Sequence, residues 1–432
     1  MSKLPARAEH ETPASSLPPA PSRLRDAGVP ESVLEDLLVK VLYLRGRLRM
    51  SELADHLCLP PALLETLLTR LRAERLCEMT RRGVNDATAV YALVDAGRTR
   101  ALELLQRSRW AGAAPVSLDD YVARVRAQSI RDMRVTRDTV ERAFHGEIVR
   151  PQLLERFGAA MNSGRSIFVY GPPGSGKTYI AERLAGLLGG EVAVPHAVLV
   201  DGEIVAVFDR LVHDEIDAAP GGGLDHGEPL DRRWVRCRRP VVRTGAELTL
   251  AMVDLQFDAK TRYYQAPPQV KANNGLFVVD DLGRQLVPAQ DLMNRWIVPL
   301  DRGIDHLALH TGTQFLLPFD VLVVFSSNLM PSDLADPAFL RRLGYKIEVG
   351  PIDAADYRRI FELACAQAAI DFDEAAFATV LRRHAAEGRP LLACVPRDLI
   401  EQVRDRARFR GQRTTLDDEA LDWAWTNYFA RH

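Results

Sequence analysis

The run Gly171, Pro172, Pro173, Gly174, Ser175, Gly176, Lys177 and Thr178 has the residue types and spacing of a phosphate cradle. Glycines let backbone N–H groups converge on phosphate oxygens where a Cβ would collide. The start of the following helix adds unpaired donors and partial positive charge. Lys177 can reach the β- and γ-phosphates of a nucleoside triphosphate, and Thr178 offers a hydroxyl to Mg²⁺. Tyr179 follows and completes the candidate nucleotide contacts of this loop. The plain alternative is a glycine-rich turn opening a helix. An apolar run before the motif, residues 167–170, and a helical pattern after it, residues 179–186, give the strand, loop and helix that a P-loop requires.

A second pair of residues adds chemistry to binding. Asp280 and Asp281 follow the apolar residues 276–279, which predict a fully buried strand ending in two carboxylates. In an open α/β sheet, ligands bind at the carboxyl ends of the strands. Asp280 could hold Mg²⁺ through its water shell, and Asp281 could orient or deprotonate an attacking water. A strand followed by an acidic turn is the structural alternative.

The elements that must position these groups sit in a chain of 432 residues, enough for two or three domains with a large core. Hydrophobic residues make up 47% and charged residues 26%, as in ordinary globular proteins. Lysine plus arginine, 56, nearly balance aspartate plus glutamate, 58, so no global field draws the chain to nucleic acid or membrane. Five cysteines without paired spacing argue against a disulfide framework or zinc site and fit a cytoplasmic protein. No apolar run approaches the ~18 residues of a membrane span, and the proline-rich start lacks the apolar core of a signal peptide.

Composition and periodicity divide the chain into a disordered arm over 1–22, a small helical unit over 23–109, a linker and helices over 110–139, an α/β nucleotide-binding domain over 140–351 and an all-helical domain over 352–432. From about 166 to 350 the pattern reads as alternating strand and helix around a parallel sheet. Within it, 219–228 reads as a flexible loop. The arginine-rich 232–239 reads as a solvated surface segment, with an anion site as the alternative. Residues 306–317, apolar on both sides of Thr311-Gly312-Thr313, predict a β-hairpin. Arg284, Arg295 and Arg302 are either inter-subunit contacts or ordinary surface.

Three helical segments followed by two short strands around the loop 81–86 make residues 23–109 resemble a winged-helix domain. Such domains bind DNA or dock proteins. With about fifteen basic and about twelve acidic side chains, the unit lacks a strong global basic excess. Arg81 and Arg82 are the first candidates for phosphate contacts.

Residues from about 140 to 430 resemble the AAA+ ATPase family in the order of their motifs. The resemblance implies adenine contacts at Gly146, Ile148 and Val149, and a sensor-1 strand whose terminal Asn328 positions the lytic water. It also implies an arginine finger delivered to a neighbouring subunit by Arg341 or Arg342, and a sensor-2 Arg397 in a helical lid. The hairpin ahead of the sensor strand resembles the pre-sensor-1 insertion of the MoxR-like and magnesium-chelatase branch. One departure is that the catalytic position, most often glutamate, holds Asp281. The resemblance implies a P-loop NTPase with a helical lid and ATP and Mg²⁺ as cofactors, assembled as a homo-oligomer, expected to be a hexameric ring. The expected work is remodelling or delivery of an unidentified protein client. The alternatives are a DNA-acting ATPase that uses the winged helix and a scaffold that barely hydrolyses.

Overall fold

The computed structural model describes residues 17–82, 88–216, 229–334 and 336–429. The loop expected at 219–228 and residues 1–16 of the expected arm lie outside them. Residues 17–22 do not behave as a loose arm. Ala20 N–H donates to Pro229 O at 2.6 Å and Asp231 N–H to Pro18 O at 2.8 Å.

The N-terminal segment begins with α1 (Glu31–Arg45), β1 (Leu48–Arg49), α2 (Met50–Leu57) and α3 (Pro61–Ala73). Proline at the first turn of α3 suits a position whose N–H has no helical partner. Next come β2 (Cys77–Arg81), β3 (Val90–Leu93) and α4 (Asp95–Arg107). The three strands form an antiparallel sheet in the order β1-β3-β2. Leucines 34, 37 and 38 of α1 and 63, 64, 67, 68 and 71 of α3 are buried in one cluster, as their helical spacing demands.

After β4 (Val116–Ser117) and α5 (Leu118–Ala127) the chain enters α6 (Arg137–Ala143) and α7 (Pro151–Ser163), then β5 (Ile167–Tyr170) and α8 (Lys177–Ala185). The expected strand–helix alternation then fails. Residues 191–265 hold β6 (Glu191–Pro195), β7 (Ala197–Val200), β8 (Glu203–Ala206), β9 (Trp234–Arg238), β10 (Val241–Thr244), β11 (Gln256–Asp258) and β12 (Tyr263–Gln265), with no α-helix among the described residues. Most of the pairings here are antiparallel: β6 with β9, β7 with β8, and β11 with β12. Short apolar runs do not specify the direction of a neighbouring strand, and tight connections make antiparallel pairing the local outcome. The segment 232–239 is likewise no solvated stretch: Arg233, Trp234, Val235 and Cys237 are buried.

The chain continues with α9 (Pro268–Lys271), β13 (Leu276–Val279), α10 (Ala289–Arg302), β14 (Ile304–Ala308), β15 (Gln314–Pro318) and β16 (Leu322–Ser327). β14 and β15 pair as an antiparallel hairpin, with Leu307, Leu309 and Leu317 buried. Arg295 is an intramolecular partner, pairing with Asp305 at 2.7 Å and Asp254 at 3.2 Å. Last come α11 (Pro331–Leu334), α12 (Pro337–Leu340), β17 (Tyr345–Glu348) and four helices: α13 (Ala354–Gln367), α14 (Glu374–Ala386), α15 (Val395–Arg410) and α16 (Asp418–Tyr428).

The protein is α/β with a helical C-terminal region. Two five-stranded sheets occur among the described residues: one has the order β11-β12-β8-β7-β4, and the other has the order β10-β13-β16-β5-β17, in which β5 runs parallel to both neighbours. Both neighbours of β5 come much later in the chain, so its carboxyl end lies at a topological switch point, where such sheets place ligands. The chain condenses into two compact units. One comprises residues 1–133, 188–277 and 291–322, and the other comprises residues 134–187, 278–290 and 323–432.

The helices after 353 have their own core around His384, which is buried. Its Nε2 lies 2.9 Å from Tyr357 Oη, and the Trp425 ring meets it edge-on at 4.9 Å. Burial holds this imidazole below its ordinary pKa. The unfolded chain therefore takes up the proton at higher pH than the folded one, and stability falls as pH drops below the ordinary histidine value of about 6.5. Urea unfolding at pH 5.5 and 7.5 should show lower stability at the acid value, with a loss of at most about 1.4 kcal/mol per pH unit for this group. His384→Gln should flatten that part of the slope.

Candidate functional site

The P-loop joins β5 to α8 by way of three glycines with positive φ: Gly171 at 149°, Gly174 at 80° and Gly176 at 94°. A Cβ on Gly171 would lie 2.1 Å from Val349 O, a backbone atom that cannot step aside. On Gly174 it would lie 2.4 Å from Cys394 Sγ. Only glycine permits this path. Ser175 is buried, and among the described residues its Oγ has no hydrogen-bond partner, as expected of a donor meant for a ligand. The cradle and the orphaned hydroxyl both fit a phosphate group.

Lys177 lies at the centre of this site. Its Nζ donates to Gly171 O at 3.0 Å, Pro172 O at 2.9 Å and Asn328 Oδ1 at 2.7 Å. Burial pushes the ammonium below the usual lysine range, opposed by Asp281 and Asp280. Thr178 Oγ1 donates to Asp280 Oδ2 at 2.8 Å, bringing together the two groups expected at Mg²⁺. One carboxylate and one hydroxyl beside a phosphate cradle are the donor set Mg²⁺ takes when phosphates and waters supply its other ligands. Among the described residues no cluster of three or more His, Cys, Asp or Glu could form an all-protein metal cage.

Asp281 stands one residue past Asp280 with φ 50°, in the left-handed region that aspartate tolerates better than most residues. Its Oδ1 lies 3.4 Å from Asn328 Nδ2, so the Asn328 amide spans Lys177 and Asp281. Ser327 Oγ fixes this strand end by donating to Leu282 O at 2.6 Å.

These groups border a cavity of about 1240 Å³. Gly146, Ile148, Val149, Pro173, Gly174, Ser175, Gly176, Lys177, Thr178, Tyr179, Asp281, Asn328 and Arg397 line it. Gly171 and Pro172 shape the loop behind that wall, and Asp280 meets it through Thr178. Arg341 and Arg342 are not among the lining residues. The cavity also takes in Glu147, Arg183 and part of α13, none of them an expected site residue. Tyr179 and Glu147 both bond Arg183, whose guanidinium stacks over the Tyr179 ring at 5.0 Å. From α13 come Asp356, Ile360, Leu363, Ala364 and Gln367. The last five fall at helical spacing, but the pattern alone could not say whether the stripe faces a cavity or a core. Cys394, at the start of α15, donates its N–H to Gly174 O at 3.2 Å. That bond ties the helical region to the P-loop.

Comparison with known proteins gives limited matches. Residues 353–427, the four C-terminal helices, match a family described only as a domain of unknown function, DUF8689. No curated protein matches. Among solved structures, NtrX from Brucella abortus in complex with ADP is similar at a TM-score of 0.42 and 14% identity, over 65% of this chain and 54% of that one. NtrX in complex with ATP gives 0.41 and 15%, over 66% and 61%. The Thermotoga maritima RuvB Holliday junction branch migration motor gives 0.36 and 13%, over 68% and 70%. The chain thus spans less than two thirds of the NtrX chains it matches. At these scores the reading of function rests on the site itself.

Proposed function

We propose that this protein is a Mg²⁺-dependent ATPase of the AAA+ type, working as a homo-oligomer to remodel or deliver a protein partner. The observation behind this reading is the convergence of Lys177, Thr178, Asp280, Asp281 and Asn328 on one phosphate cradle. The P-loop amides and Lys177 hold the β- and γ-phosphates. Thr178 and Asp280 would hold Mg²⁺, which supplies positive charge against the phosphate oxygens when bound. Asp281 accepts the proton of the attacking water, and the Asn328 amide keeps that carboxylate oriented. Arg397, 64% exposed on the first turn of α15, can turn into the cavity toward the γ-phosphate. The adenine lies near Gly146, Ile148 and Val149, with the α13 stripe opposite.

Two variants separate binding from chemistry. Asp281→Asn keeps a residue that accepts positive φ and removes the base, so turnover should fall about 10²- to 10⁴-fold with ATP affinity retained. Lys177→Ala should lose ATP affinity itself. Steady-state phosphate release together with binding of a fluorescent ATP analogue reads both effects. Unchanged turnover in Asp281→Asn would remove the assigned base.

A further inference from the structure

We infer that Arg284 contacts the γ-phosphate in the site of its own subunit and makes that site prefer a nucleoside triphosphate to the diphosphate. This rests on the ATPase reading. Five arginines line the cavity: Arg150, Arg156, Arg183, Arg284 and Arg397. Four of them are engaged. Arg150 pairs with Asp356 at 3.8 Å and donates to Pro351 O at 3.2 Å, and Arg156 donates to Lys346 O at 2.8 Å. Arg183 pairs with Glu147, and Arg397 with Asp398 at 3.7 Å. The Arg284 side chain is exposed and makes no ion pair or hydrogen bond among the described residues. Lys177 is no spare cation either, because its three N–H donors already point at Gly171 O, Pro172 O and Asn328 Oδ1.

The backbone fixes where this side chain starts. Asp281 and Gly283 both have positive φ, 50° and 103°. A Cβ on Gly283 would lie 3.0 Å from Leu334 Cδ2 and 3.1 Å from Leu329 Cδ1, so glycine suits this bend. Leu282 N–H donates to Ser326 O at 2.7 Å, which anchors the segment to β16. Arg284 N–H donates to Asp281 O at 3.0 Å, and Gln285 Oε1 accepts Gly283 N–H at 2.9 Å. Asp281 and Arg284 are therefore the first and fourth residues of one closed turn.

That turn selects the phosphate. The attacking water must stand in line with the bond that breaks, behind the γ-phosphate. Asp281 serves that water, so a guanidinium carried on the same turn meets the γ-phosphate, while the β-phosphate stays with the P-loop amides. An arginine fork matches two phosphate oxygens, where a lysine offers a point charge. Arg284 is also close enough to Lys177 for the two cations to repel, and a phosphate between them removes that cost. Asp280 and Asp281 face Lys177 as well, but in the proposed ATPase they serve Mg²⁺ and the attacking water.

The test is a titration of the full chain with a fluorescent non-hydrolysable ATP analogue and with fluorescent ADP, both with Mg²⁺. It is run at nanomolar protein and again where light scattering shows copies associating. The wild type should prefer the triphosphate at both concentrations. Arg284→Ala should weaken the triphosphate about 10- to 100-fold and ADP by less than about threefold. Arg284→Lys should recover part of the triphosphate affinity, and Arg156→Ala should leave the ratio of the two affinities unchanged. An unaltered ratio in Arg284→Ala, or an equal loss for both nucleotides, would overturn the inference and leave the ATPase reading standing. A preference confined to associated protein would place Arg284 on the neighbour's nucleotide and overturn it too. A wild type that binds neither nucleotide would overturn the ATPase reading itself.

Discussion

Arg341→Ala/Arg342→Ala is expected to reduce ATP turnover by about 10³- to 10⁵-fold while leaving ATP binding intact. An arginine aimed at a transferring phosphoryl group neutralises charge that exists only in the transition state, so its loss appears in rate and not in affinity. Neither arginine lines the cavity of its own chain, which is the arrangement required if they serve a neighbouring copy. The segment is also built to hold a fixed pose. Asp336 Oδ1 accepts Phe339 N–H at 2.7 Å, Pro337 occupies the first turn of α12, and Phe339 and Leu343 are buried. The two arginines then differ. Arg341 is exposed, whereas Arg342 is half-buried and its carbonyl accepts the Ser166 hydroxyl at 3.5 Å. Arg341→Ala alone should therefore carry most of the loss. For the wild type, phosphate release per subunit should rise with protein concentration and then level off. A rate independent of concentration, with the double variant unimpaired, would exclude a shared site.

Which residues come together at the candidate site was largely readable because the motif is encoded locally. A phosphate cradle needs glycines at fixed offsets, and Lys177 and Thr178 must follow them directly. Asp280 and Asp281 could be found because they follow a short run of buried apolar residues, which is where an open sheet presents ligands, whereas Asn328 was marked only by the resemblance of its strand to a known family. What escaped the sequence depends on partners distant in the chain. Arg183 and Glu147 are 36 residues apart, and nothing in either neighbourhood announces the pair. The stripe on α13 has the same periodicity whether it lines a cavity or a core. The antiparallel strands between 191 and 265 were misread because four or five apolar residues fit either strand direction. Arg81 was singled out, but its side of the sheet depends on a one-residue slip at Thr80 that no residue type there signals.

Arg233 is the sharpest case of a residue misjudged from composition, and its removal should be the most damaging single change to stability. It lies in an arginine-rich stretch that reads as solvated, yet Arg233 and Asp231 are each only 3% exposed. The pair is bidentate: Nε donates to Asp231 Oδ1 at 3.0 Å and Nη2 to Oδ2 at 2.8 Å. The remaining amine, Nη1, donates to Ala27 O at 2.7 Å and Pro115 O at 3.1 Å. One guanidinium thus satisfies a buried carboxylate and two buried carbonyls from distant parts of the same compact unit. A buried pair contributes little compared with an apolar replacement, because desolvation offsets the attraction. Breaking one side, however, strands a charge in a poorly polarisable interior. Arg233→Ala should therefore cost about 3–5 kcal/mol, a large share of the ~5–15 kcal/mol that holds a typical protein folded. Arg233→Met/Asp231→Leu removes both charges and should recover much of that loss despite the two unpaired carbonyls. Urea unfolding of Arg233→Met, Asp231→Leu and the double variant closes the cycle, with a coupling energy of opposite sign to the single losses. Amide exchange supplies a local readout. Because Asp231 N–H also bonds Pro18 O and Ala20 N–H bonds Pro229 O, the Arg233→Ala protein should lose protection first at the Ala20 and Asp231 amides. If both single variants unfold at the wild-type urea concentration, the pair is solvated in solution and the network has no structural role.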